Sequence, residues 1–427
     1  MNDMNFTTLR FKDCITDIID NRGRNPDKYY DLEKYPVIDN YLIKNELHPN
    51  VENVNRYLSQ AQFDSFLRGY VTTDDLLMTL VGNGIGNVSL SPNDKIAIVQ
   101  NTVGFRLNKD LLDSHFAFYY FRTINSAVRN LDRGASQPSV NRTDVLRLKL
   151  QLPDINTQKR IADVLFAYDD LIENNTKRIK LLEQMAENLY KEWFVRFRFP
   201  GYEKIDFVES PFGKIPSSFE LIKMNDAFDY YIGGGWGNDE YSTDFPEQAY
   251  VIRGTDFPNV QKGDLLSCPL RYHKKSNYSA RELNENDIII EVSGGTAEQP
   301  VGRALIVTKD TIDRLDNKVI CASFCKLVRL NTEVVTPYFF YYWMQFLYDT
   351  RIIDKFQLQS TGIINFKFEY FLRKGDIMLP PKALMDRFDE KVKVLYKEKS
   401  ILARQNDNLI KQRDLLLPRL MSGKLEV

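Results

Sequence analysis

Two stretches of the chain carry a seven-residue apolar rhythm. After Leu152-Pro153, one row runs Ile161, Tyr168, Asn175, Leu182, Leu189, and a second runs Leu165, Ile172, Ile179, Ala186. After Leu379-Pro380, Phe388, Leu395, Leu402, Leu409 and Leu416 recur at the same spacing. Apolar residues at a and d positions over several heptads predict long helices that pair as a coiled coil. In the second stretch the companion row, Val392, Lys399, Asn406 and Arg413, is mostly polar. That seam is lopsided, and its polar positions are expected either to fix register or to face a partner. Elsewhere the pattern changes to short β-branched runs (KIAIV, NDIIIEV, GRALIV) broken by Gly, Asn and Pro, which reads as mixed α and β.

The two halves of the chain resemble each other. Arg106-Leu107-Asn108 recurs 223 residues on as Arg329-Leu330-Asn331, with an aromatic run behind each (FAFYYF and FFYYWM). Leu152-Pro153 and Arg160 recur 227 residues on as Leu379-Pro380 and Arg387. The expected fold class is α+β: two mixed α/β domains separated by two long antiparallel coiled-coil helices, in a pseudo-two-fold internal repeat. The segments are residues 1–152 (first domain), 153–200 (first helix), 201–378 (second domain) and 379–427 (second helix). A helix of roughly forty residues spans about 60 Å, so the pair is expected to act as a ruler between the domains. Two similar readers in pseudo-two-fold relation suit a duplex with two half-sites, which differ because the domains differ.

Composition narrows the class without deciding it. In 427 residues the net charge is −1, so charge alone gives no support to a nucleic-acid partner. DNA binding needs a basic face rather than a basic total, and leaves the possibility open. No stretch is apolar enough to span a membrane, the N-terminus lacks a secretory pattern, and the four scattered cysteines suit a reducing cytoplasm.

Base-reading and phosphate-holding residue types cluster in loops. In the first domain these are Arg22, Arg24 and Lys28; Asn83 in the GNGIGN string; and Arg133, Ser136, Gln137, Asn141 and Arg142. In the second they are Trp236 and Asn238 after a glycine string; Thr296, Gln299 and Arg303; and Gln357, Gln359, Ser360, Asn365 and Lys367. GNGIGN fits neither the dinucleotide nor the Walker A pattern. There is no Asn/Asp-Pro-Pro-Tyr/Phe methylase motif and no Glu-x-Lys nuclease motif. Cys321 and Cys325 lack further metal partners, and His48, His115 and His273 lack visible ones, so no catalytic or metal residue is expected.

LPDINTQKRIADVLFAYDDLIENNTKRIKLLEQMAENLYKEWF, together with IMLPPKALMDRF opening a helix that ends LLLPRLMSGKLEV, resembles the conserved helices of type I restriction–modification specificity subunits. GASQPSVNRTD is similar to the loop that closes their first recognition domain, whereas the second half has STGIINF there. The resemblance runs through the whole chain. It implies a non-catalytic DNA-recognition subunit that directs adenine methylation or cleavage at a bipartite asymmetric site. The implied partners are double-stranded DNA, two modification (methyltransferase) subunits and restriction–translocation subunits. No cofactor is expected in this chain; S-adenosylmethionine and ATP with Mg would sit in the partners. The helix residues expected to pack together or meet those subunits are Ile161, Leu165, Tyr168, Ile172, Leu182, Met185, Leu189, Trp193, Leu395, Leu402, Leu409 and Leu416. The alternatives are a coiled-coil scaffold without DNA, and the specificity subunit of a related defence methylase without a restriction subunit.

Overall fold

The computed structural model of the chain describes residues 5–426 except 25, 133, 135, 136, 211, 212, 297, 298, 317, 361 and 362; the side chains of Glu52, Gln359 and Ser360 also lie outside it. The chain forms two compact units, Met1–Glu173 with Asn408–Val427, and Asn174–Asp407. Each long helix therefore contributes one part to each unit.

In the first unit the order is β1 (Thr7–Arg10), β2 (Ile15–Ile19), β3 (Tyr35–Ile38), β4 (Tyr57–Leu58), β5 (Leu76–Thr79), β6 (Val88–Leu90), β7 (Ala97–Ile98), β8 (Thr102–Leu107), α1 (Ser114–Thr123), α2 (Arg142–Leu146), β9 (Lys149–Leu152) and α3 (Ile155–Tyr190). An antiparallel sheet β2-β8-β5-β6 carries the core. A smaller sheet β4-β3-β7 has β3 parallel to β7, and β1 pairs with β9. The aromatic run forms α1. A helix apolar on every side must be covered on every side, and Phe116, Phe118, Tyr119 and Phe121 are fully buried.

The second unit repeats this plan with β10 (Glu220–Lys223), β11 (Phe228–Gly233), β12 (Glu247–Ile252), β13 (Leu270–His273), β14 (Ile288–Glu291), β15 (Ser293–Gly295), β16 (Ala304–Ile306), β17 (Val319–Cys321), β18 (Cys325–Leu330), α4 (Pro337–Asp349), β19 (Gln357–Ser360), β20 (Ile363–Phe366), α5 (Phe368–Lys374), β21 (Asp376–Leu379) and α6 (Lys382–Met421). Its sheets β11-β18-β14-β16 and β13-β12-β17, with β12 parallel to β17, match those of the first unit strand for strand, as does the ribbon β10-β21. A third sheet, β15-β20-β19, is particular to this unit.

The repeated Arg-Leu-Asn string is a structural staple. Arg106 pairs with the buried Asp75 at 2.9 Å and donates to the Tyr70 carbonyl at 2.8 Å. Arg329 pairs with the buried Asp287 at 3.2 Å and donates to the Glu282 carbonyl at 2.6 Å. Leu107 and Leu330 are core, and Asn108 and Asn331 each accept from the backbone N–H two residues on. The offset between the halves is smaller at their start, where Thr7 matches Glu220, because the second unit inserts residues between β14 and β16 and a helix, Lys309–Arg314, before β17.

The helix seam differs from the expected one. In the first unit Ile161 and Leu165 of α3 join a core cluster with Leu417, Leu420 and Met421 of α6, and Arg413 pairs with Asp169. In the second unit Ile179 meets Leu402, Lys399 pairs with Glu183 at 3.1 Å, and Asn406 donates to Thr176 at 3.3 Å. Tyr190, Trp193 and Phe194 pack on Phe388. The polar row 392/399/406/413 thus faces α3, whereas Leu395, Leu409 and Leu416 flank it half-buried. Tyr168, Ile172, Leu182 and Leu189 are half-buried too, and Met185 is 55% exposed, so it does not pack in the seam. The reason is pairing: each polar group meets a complementary one, which offsets the cost of removing it from water.

Candidate nucleic-acid interface

Strand register brings three loops of each unit to one end of its main sheet. In the first unit Ile19 of β2 lies opposite Gly104, and Thr79 of β5 lies opposite Thr102. The loop after β2 (residues 20–24) and the loop after β5 (residues 80–87) therefore leave the sheet at the same end. The segment 137–141 joins them: the Gly82 N–H donates to the Pro138 carbonyl and the Val140 N–H to the Leu80 carbonyl, both at 2.9 Å. In the second unit Gly233 lies opposite Lys326 and Glu291 opposite Cys325, so the loops after β11 and β14 share an end. Ser293 of β15 pairs with Asn365 of β20, which brings the hairpin β19-β20 there.

The first of these loops is held rigidly in both units. Asn21, fully buried, donates to the Gly69 and Ile98 carbonyls and accepts from the N–H groups of Arg68 and Gly69. Asp20 accepts from Arg22 and, at 2.7 Å, from Arg142, tying the first loop to the third. Burial pushes the Asp20 carboxyl up, but the hydrogen bonds of Arg22 and the charges of both arginines outweigh it and hold it below the usual range. In the second unit the Gly234 and Gly235 N–H groups donate to the Cys325 and Cys321 carbonyls at 2.9 Å, and Arg281 donates to the Gly233 carbonyl. A Cβ on Gly234 would lie 2.1 Å from the Ala322 carbonyl oxygen, and Gly237 has φ +71° with no room for one either. The loop displays Trp236, 40% exposed, with the Arg271 guanidinium 4.6 Å from its ring.

The predicted residues fare differently. Arg24, Asn83, Gln137 and Asn141 are exposed in the three loops of the first unit, alongside the half-exposed Arg22 and Arg142. Lys28 is attached to the smaller sheet, its carbonyl accepting from Gln62 and its ammonium over Tyr30. Arg133 and Ser136 lie outside the described residues. In the second unit Trp236, Asn238, Thr296, Gln299 and Lys367 are exposed, and Gln357 and Asn365 are half-buried; the side chains of Gln359 and Ser360 lie outside the description. Arg303 is not a free cation. It is bidentate to the buried Glu291 at 2.9 Å and donates to the Gly254 carbonyl, so it braces the loop that carries Gln299. Sequence reasoning missed Asp20, Asn21 and Arg271, which hold the loops; none stands in a distinguishing pattern.

The cysteines show no sign of reactive chemistry: burial pushes the Cys268 and Cys321 thiols up to about 12, away from the thiolate a nucleophile needs. Among the described residues no helix is long and apolar enough to cross a membrane.

Comparison with known proteins points in one direction. Residues 11–184 match the model of the type I restriction modification DNA specificity domain. That match covers the first long helix only in part, and the relatives found over most of the chain are type I restriction enzyme specificity subunits to which the chain is similar. It is 25% identical to the MjaIX specificity subunit of Methanocaldococcus jannaschii over 79% of this chain and 77% of that one. It is 28% identical to the HindI specificity subunit of Haemophilus influenzae over 41% of this chain and 39% of that one. A crystal structure of the type I restriction–modification S subunit from M. genitalium shares the fold over 98% of this chain and 97% of that one, with a TM-score of 0.58 and 13% identity.

Proposed function

We propose that the two units each read one half of a bipartite, asymmetric duplex target, and that partner subunits supply the chemistry. The observation that carries this reading is the convergence of three polar loops at one end of the main sheet in both units, on scaffolds that match strand for strand. Rigid elements with variable loops at one end are how folded domains carry recognition. The loop contents differ, basic in the first unit and aromatic with amides in the second, so the half-sites differ. Exposed arginines would hold phosphates; Asn83, Gln137, Asn141, Asn238 and Gln299 carry the paired donor and acceptor that read a base edge, whereas the Gln357 amide already donates to Asp354 at 2.9 Å and to the Val301 carbonyl.

The partners in this proposal are two modification subunits and restriction–translocation subunits, acting in the cytoplasm. S-adenosylmethionine serves adenine methylation in the modification subunits, and ATP with Mg drives the others. The test is selection from random duplex pools by the chain purified with its modification subunit. Enrichment of two half-sites at a fixed spacing is expected; a pool without any bipartite site overturns the proposal. Exchanging residues 1–152 for the corresponding domain of another specificity subunit should change one half-site only.

A further inference from the structure

The polar row between the long helices is sorted by charge. On α3 the three residues that meet it are Asp169, Thr176 and Glu183, each seven residues from the next; on α6 their partners are Arg413, Asn406 and Lys399. One helix carries acids at both ends of the ladder and the other carries bases at both ends. Three of the four charged members are largely withdrawn from water, Lys399 being 8% exposed and the side chains of Arg413 and Asp169 each 13% exposed, whereas the Glu183 side chain keeps 31% of its surface. Burial pushes the Lys399 ammonium below its ordinary range, and Glu183 opposes that shift. Asp169 also accepts from Tyr119 at 2.6 Å, which fixes its direction toward the seam.

We propose that this ladder is a recognition device that lets the first long helix pair only with the second, in its own chain or in a second copy, and never with its own kind. The reason is geometric. If two copies of α3 packed antiparallel about Thr176, Asp169 of each would face Glu183 of the other, acid on acid. If two copies of α6 packed about Asn406, Lys399 would face Arg413, base on base. Both pairings would bury like charges where the native pair buries opposite ones. A slip of one heptad would also fail, since it sets Asp169 against Asn406 and Thr176 against Lys399. The ladder does not set direction, because a parallel pair would match in charge as well. Direction comes from the aromatic cluster of Tyr190, Trp193 and Phe194 on Phe388 in one unit and the packing of Ile161 and Leu165 with Leu417 and Leu420 in the other. Such a device matters in a chain built as a tandem repeat, whose two helices have the same length, rhythm and flanking Leu-Pro.

The test uses full-length chains. An acidic chain carries Lys399→Glu and Arg413→Glu; a basic chain carries Asp169→Lys and Glu183→Lys; a third carries all four. The acidic and basic chains alone should each melt at least about 8 °C below the wild type, because a buried pair broken by charge reversal is strongly destabilising. The four-fold chain, complementary again, should recover most of that loss. Co-refolded at equal concentration, the acidic and basic chains should form a one-to-one dimer by native mass spectrometry, because only exchange of helices between them makes both seams complementary. Three results would overturn the proposal: wild-type melting of either chain alone, homodimers of the acidic or basic chain as abundant as the mixed dimer, or a four-fold chain no more stable than the two-fold ones.

Discussion

The loop after the first sheet strand occupies the same place in both units and is held there by opposite means. In the first unit a buried side chain, Asn21, reaches four backbone groups and leaves the neighbouring Arg22 and Arg24 at the surface. In the second unit the absence of a side chain does the work: Gly234 lets the loop lie against the Cys321–Ala322 backbone, and Trp236 is displayed. The sheet fixes where the loop starts, and local chemistry fixes what it shows. One scaffold can therefore carry two unlike reading surfaces.

Substitutions at the two keys should separate these means most strongly. Gly234→Ala forces a Cβ into a carbonyl oxygen and should cost at least about 3 kcal/mol of stability, measured by urea unfolding, and abolish recognition of one half-site. An unchanged midpoint would show that the backbone contact is soft. Asn21→Ala strands several buried backbone groups and should cost about 2–3 kcal/mol, while Asn21→Gly should do no better, because here the side chain is needed rather than its absence. Trp236→Ala should leave stability within about 1 kcal/mol yet weaken binding of the cognate duplex about 5- to 100-fold, as loss of a stacking contact does; Trp236→Phe should retain most of it. Arg24→Ala should reduce the slope of log affinity against log salt by about 1, equally on cognate and random duplexes, in line with a phosphate contact. Equal salt slopes would remove Arg24 from the interface.

The smallest effect is in pH. Asp20 has its folded pKa held below the ordinary carboxylate value, so its contribution is complete above the unfolded pKa of about 3.9 and is lost as pH falls through the lower folded value. Asp20→Asn should therefore flatten the acid side of the melting-temperature profile below about pH 4 and change nothing in the sign of its alkaline side. A profile unchanged in acid would mean that Arg22 and Arg142 do not depend on Asp20.

Much of the fold could be read from residue spacing. The heptad rows marked α3 and α6, and the Arg-Leu-Asn and Leu-Pro strings marked equivalent positions of two similar units. The site was legible only as loop composition. Arg303 has the same residue type as Arg24, yet it is consumed by Glu291, a partner visible only once β14 and β16 pair.

What the sequence by itself determined is periodic and local: helix rhythm, the repeat, and which loops carry polar and basic types. Only the tertiary structure decided which row of α6 faces α3, that Arg303 braces while Arg24 stays exposed, and that three loops meet at one sheet end. Periodicity reports the face a residue occupies, through turns a few residues long. Which charge meets which across the more than two hundred residues separating Glu183 from Lys399, and which strand end lies beside which, follows from long-range register, and no local pattern encodes it.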